Sequence, residues 1–135
     1  MSAPQAEELH MKARLIGLAA LGLASLAGPA FAHHSGAMFD AAKTDTFTGV
    51  IKELQWTNPH GWVIAVIPGA DGKPQEWGFE LSAINIISRK GWSHDAVKPG
   101  DRVTITAHPM RDGTKAGMML TLTLPNGSVL KDHNA

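Results

Sequence analysis

Seven histidines and six methionines, with no cysteine, make up the nitrogen and sulfur ligands of this 135-residue chain. Two of the histidines are adjacent. His33-His34 directly follow Pro29-Ala30-Phe31-Ala32, a small-x-small triplet of the kind at which an export signal is cut. A cut after Ala32 gives His33 a free α-amine. That amine and its own imidazole can close a six-membered chelate on one ion, and the histidine in second place adds the intervening backbone amide as a further nitrogen donor. Cu(II) favours such tetragonal nitrogen sets and stands at the top of the divalent affinity order. The donors must be deprotonated and available, so the chemistry depends on that cut. The plain alternative is a solvated chain start.

Two further histidines are candidate ligands. His60 lies in Asn58-Pro59-His60-Gly61-Trp62, where proline fixes the approach and glycine allows a sharp turn. A ring held that rigidly could be a third donor; otherwise it packs on Trp62 or bonds a nearby carbonyl. His108, in His108-Pro109-Met110, ends a strand and is a fourth candidate. His94 is expected at the surface, and His133 belongs to the tail. Met110, Met118 and Met119 offer thioethers suited to Cu(I). Met118, however, is expected to point inward as core filler.

Other chemistries are poorly represented. Glu53, Glu76 and Glu80 lie on strands without a carboxylate partner at informative spacing. Ser35 beside His34 is not a triad, since adjacency in sequence carries no triad geometry. No glycine-rich phosphate loop opens a helix. The absence of cysteine excludes a thiol nucleophile, a cysteine-ligated zinc and a lipoprotein anchor. These features do not mark an enzyme, and a histidine-copper oxidative enzyme ranks last among the readings.

The candidate ligands must be positioned by the rest of the chain. Lys12 and Arg14 form a basic n-region, and residues 15–26 an apolar run too short to span a bilayer, which needs about 20 residues. Residues 11–32 therefore read as a cleaved signal, with residues 1–10 an upstream start ahead of Met11. Removing 32 of 135 residues leaves 103. Lys12 and Arg14 leave with Glu7 and Glu8, so lysine plus arginine and aspartate plus glutamate each fall from 12 to 10. A neutral domain argues against nucleic acid and against anionic lipid. The expected location is the periplasm or the exterior. A metal ion or a periplasmic protein is the expected partner, with no membrane span after cleavage.

In the mature chain, residues 33–44 read as an N-terminal arm, pinned to the rest by Met38-Phe39. Residues 45–130 read as one β-rich domain, and 131–135 as a frayed tail. Residues 46–56 form a long strand signal, with Phe47 and Ile51 on one face and Val50, Leu54 and Trp56 on the other. Gly49 stands at the switch and suggests a kink or bulge. Residues 62–67 are a continuous apolar run and residues 75–80 a third strand.

A short helix follows, with Ser82 as N-cap, Leu81 and Ile86 at staple spacing, and Gly91 as its terminator. In residues 102–107, Val103, Ile105 and Ala107 point inward. In residues 118–124, Met118, Leu120, Leu122 and Leu124 do. Val129-Leu130 adds a short last strand. Three strands, one helix and two strands is the order of a small five-stranded barrel of the OB type; a β-sandwich is the alternative. Trp62 and Trp77 are expected in the core. Trp56 with Trp92 would be a stacking face if this were a non-catalytic OB-type module for a peptide, glycan or protein.

Several stretches together resemble a family of small exported bacterial proteins known only as a domain of unknown function. They are Ala32-His33-His34-Ser35, Gly49-Val50-Ile51 leading to Trp56-Thr57-Asn58-Pro59-His60, Trp77-Gly78-Phe79-Glu80, Lys98-Pro99-Gly100-Asp101 and Arg111-Asp112-Gly113. The resemblance covers nearly all of residues 33–135. It implies export and a shared fold, supplies no activity, and makes His33, His34 and His60 the positions of interest.

Overall fold

The computed structural model describes residues 35–133 and 135. The expected signal segment, His33 and His34 lie outside the described residues. A single helical turn, α1 (Ser35–Met38), is followed by β1 (Asp45–Gln55), β2 (Trp62–Pro68) and β3 (Pro74–Glu80). Then come α2 (Ile84–Ile87), continued by a 3-10 turn over Ser88–Lys90, and β4 (Arg102–Pro109), β5 (Ala116–Thr123) and β6 (Val129–Lys131).

The strands hydrogen-bond in the order β3-β2-β1-β4-β5-β6, and β3 also pairs with β5 in parallel. That last pairing closes a five-stranded barrel, the expected OB-like architecture, with β6 as an additional short strand. The β-sandwich alternative is set aside.

Alternation fills the barrel. Val63, Ala65 and Ile67 of β2, Phe79 of β3, and Val103, Ile105 and Ala107 of β4 point into one core. Residues 62–67 are thus not buried on both faces: Trp62, Ile64 and Val66 alternate outward and are only half-buried. β1 serves both sides of the barrel, pairing with β4 through its first half and with β2 through its second. Its register shifts between Ile51 and Glu53, so the bulge falls at Lys52 rather than at Gly49. The bulge returns Leu54 to the side facing Val63, which strict alternation from Ile51 would not do. Gly49 has a different function. A Cβ there would stand 2.3 Å from the Val66 carbonyl oxygen, so two strands approach through the space glycine leaves.

β5 contains the other break. Its pairing with β4 passes from Thr106↔Thr121 to Ala107↔Met119, skipping Leu120. Alternation therefore inverts along the strand. Gly117, Met119 and Leu122 are buried, whereas Met118 and Leu120 are not, which corrects the expectation that Met118 and Leu120 point inward.

The helical segment differs from its sequence reading in its cap. Ala83 holds the N-cap position without a side-chain bond. The Ile84 amide instead donates to Asn58 Oδ1 at 3.2 Å, from a loop far away in the chain. Ile86 is 44% exposed, so it makes no staple with the buried Leu81. The terminator is as read: Gly91 adopts φ 92°, and the buried Trp92 donates its amide to the Ile87 carbonyl.

Ser82 is recruited elsewhere. Its amide and hydroxyl donate to the two carboxylate oxygens of Asp132 at 2.7 and 2.8 Å. Asp132 is fully buried, so the expected frayed tail is instead clasped to the domain. Lys90 Nζ lies 3.4 Å from the same carboxylate and donates to the His133 carbonyl.

Candidate functional site

The candidate residues are best followed along one row of the barrel. Pairing runs Gln55↔Trp62, Trp62↔Glu80, Glu80↔Met118 and Met118↔His108. Paired residues share a face. Their chain neighbours Val63, Phe79, Met119 and Ala107 point into the core. The row therefore occupies the outer face and starts beside the Asn58-Pro59-His60-Gly61 turn. Trp62 thus lies outside the core, contrary to expectation, with its ring over Gly78.

His60 is positioned from both directions. Gly61 accepts the Leu81 amide through its carbonyl at 2.8 Å, and His60 Nδ1 donates to the Leu81 carbonyl at 3.1 Å. Glu80 Oε1 lies 3.5 Å from the same nitrogen, on a side chain only 4% exposed. The Asn58-Pro59 peptide is cis. The turn thus does structural work, with Asn58 capping α2 and His60 bonding a carbonyl. A carbonyl oxygen cannot donate, so the hydrogen bond places the proton on Nδ1 and leaves the Nε2 lone pair of the neutral ring for another partner.

His108 repeats the arrangement. Its Nδ1 donates to the Lys43 carbonyl at 2.6 Å, which again leaves Nε2 as the basic nitrogen. Lys43 belongs to the arm, and the arm is attached here. Phe39 forms an isolated antiparallel bridge with Met110, Asp40 donates its amide to the Pro109 carbonyl, and Arg111 donates its amide to the Met38 carbonyl. Phe39 is 1% exposed yet lies apart from the barrel's core cluster, so it packs on a separate patch. Of the expected pair Met38-Phe39, Phe39 does the pinning; Met38 is 44% exposed.

His60 therefore lies beside Glu80, and His108 stands two strands from Glu80 along the same row. Two strand spacings of about 4.8 Å separate the backbones of Glu80 and His108. Among the described residues, no three His, Cys, Asp or Glu side chains converge closely enough to hold a metal ion. His33 and His34 lie outside the described residues.

The remaining histidines divide. His94 is exposed, as read. His133 is half-buried and its Nδ1 donates to the Met119 carbonyl at 2.8 Å, so it belongs to the clasp. The tryptophans do not form the proposed stacking face, because Trp92 is 3% exposed and donates its indole N–H to the Lys131 carbonyl. Trp56 and Trp77 pack against the core. The Trp77 ring lies beside Phe47 and Phe79, at centroid distances of 4.7 and 6.2 Å.

Sequence reasoning missed Glu80 as a neighbour of His60. The signal was present: Glu80 ends a strand whose inward residues are aromatic, and a strand joined to the next element by Leu81 must bring its end toward the turn before Trp62. No curated protein and no solved structure matches the chain. A family model does match, over residues 19–119, and by that match the chain belongs to the family of unknown function DUF6152.

Proposed function

We propose that this small β-barrel is an exported protein that captures copper through its mature N-terminal histidine. The amine and ring of His33 bind first, with His34 and His60 completing the set and His108 in reserve. The observation that supports this is the paired constraint on the two barrel histidines. Each has Nδ1 held by a backbone carbonyl, which leaves Nε2 as the basic nitrogen of each ring. Such carbonyl contacts fix the tautomer and orientation of metal-binding imidazoles.

The attachment of the arm adds support. His34 precedes Met38 by four residues, and chain geometry limits that span to about 14 Å. Met38 itself is bonded to Arg111, three residues beyond His108. An amine on a short tether suits capture and transfer better than permanent storage. The rival reading, a binding module for a peptide, glycan or protein partner, loses Trp92 from its stacking face and retains the half-buried Trp56, with Trp62 half-buried as well.

The test is intact mass of the exported protein followed by Cu(II) titration of the same sample. A mass beginning at His33, with one tight Cu(II) per chain that is lost when one residue is added before His33, is the expected result. A different first residue, or Cu(II) affinity indifferent to the added residue, would refute the proposal. His60→Ala and His108→Ala, titrated separately, report which barrel histidine shares the ion.

A further inference from the structure

The outer face of β4 and β5 changes character along its length. Thr104 pairs with Thr123, and Thr106 pairs with Thr121, their hydroxyls 2.6 Å apart. Threonine is what a half-exposed strand surface ordinarily carries. At the next outward position the ladder changes to His108 opposite Met118. Met110 follows two residues after His108 and therefore shares its face. All three are half-buried. One imidazole and two thioethers thus occupy neighbouring outward positions beside the attachment of the arm.

We propose that His108, Met118 and Met110 form a soft-metal site that takes Cu(I). The donor set is the reason. Thioether sulfur selects Cu(I) over the harder divalent ions, and imidazole completes a neutral N,S,S set. His108 is oriented for it, because the bond from Nδ1 to the Lys43 carbonyl leaves Nε2 as the ligating atom. Partial burial lowers the water content around the sulfurs while leaving an approach from outside. Met119, although adjacent in sequence, is excluded because it is wholly buried in the core. The site needs neither the amine of His33 nor its ring. It extends the copper reading, on which its biological use rests, to the second oxidation state of the ion. Its chemistry can be tested separately.

The experiment titrates the full chain with Ag(I), a redox-inert ion of the same preference, and follows the methionine ε-methyl signals by NMR. One Ag(I) per chain should bind, shifting the Met110 and Met118 methyls and leaving that of Met119 in place. Met118→Leu keeps apolar volume and removes the sulfur, and should weaken Ag(I) about tenfold or more. Met110→Leu should do the same. Unmoved Met110 and Met118 methyls, or full Ag(I) affinity in both leucine variants, would overturn the site. A purely packing role for the two methionines predicts that second result.

In protein that begins at His33, Met118→Leu should leave Cu(II) affinity unchanged. Loss of the amine site would appear in the Cu(II) titration, and loss of the thioether site in the Ag(I) titration.

Discussion

Removing the Asp132 carboxylate is the sharpest test of how the barrel end is held. Asp132 is fully buried, and its two oxygens accept from the Ser82 amide and hydroxyl at 2.7 and 2.8 Å. Hydrogen bonds to a charged acceptor contribute about 1.5–3 kcal/mol each, and a buried amide left without a partner costs about 1–3 kcal/mol. Lys90 lies 3.4 Å away with a side chain 35% exposed, so solvent screening leaves its share small.

Asp132→Ala should therefore destabilise the protein by about 3 kcal/mol, and the midpoint of thermal unfolding should fall by about 15 °C. Asp132→Asn keeps the shape and one acceptor oxygen, and should cost about half as much. Urea unfolding followed by tryptophan fluorescence measures both variants. Trp92 adds a local reporter, because its indole donates to the Lys131 carbonyl in the same segment. A loss below about 0.5 kcal/mol for Asp132→Ala, the range of an ordinary surface substitution, would mean that the clasp does not form in solution.

Three other perturbations test separate parts of the structure. Asn58→Ala removes the cap on Ile84 and should cost about 1 kcal/mol in urea unfolding, with the barrel retained. Met119→Ala should cost about 3 kcal/mol by opening a core cavity, whereas Met118→Ala should cost under about 1 kcal/mol; equal losses would refute the bulge-inverted alternation. The Ser93 hydroxyl donates to Asp95 at 2.7 Å and holds that exposed carboxyl below its ordinary value of 3.8. A lowered carboxylate stabilises the fold above pH 3.8, and the effect is lost as pH falls through the folded value. Ser93→Ala should thus raise the Asp95 titration midpoint in an NMR pH series.

The order of elements was legible because turn residues and hydrophobic period agree along most of the chain. Arg102–Pro109 alternates as written, and Gly91 terminates the helical segment as its type predicts. The errors arose where a distant partner overrides a local signal. Ser82 has the composition of an N-cap, but Asp132, fifty residues away, competes for it, and Asn58 supplies the cap. A bulge that skips Leu120 inverts the period of β5, and no turn residue marks it. For the site, His60 and His108 were identifiable from residue type and from their places at a turn and a strand end. The row that links Glu80, beside His60, to Met118 and His108 was not, because it depends on the parallel pairing of β3 with β5, which no local pattern encodes.

That pairing has a consequence for how the chain becomes a protein. Gly78, Phe79 and Glu80 find their second neighbours only in Ala116, Gly117 and Met118. A nascent or truncated chain ending before β5 would hold a curved four-stranded sheet, β3-β2-β1-β4, with the β3 edge open, a template for pairing with other chains. Sealing the barrel is a late, non-local event that must overcome the loop-closure entropy of everything between the two strands. Shielding of that edge before β5 arrives is thus a requirement wherever this chain folds.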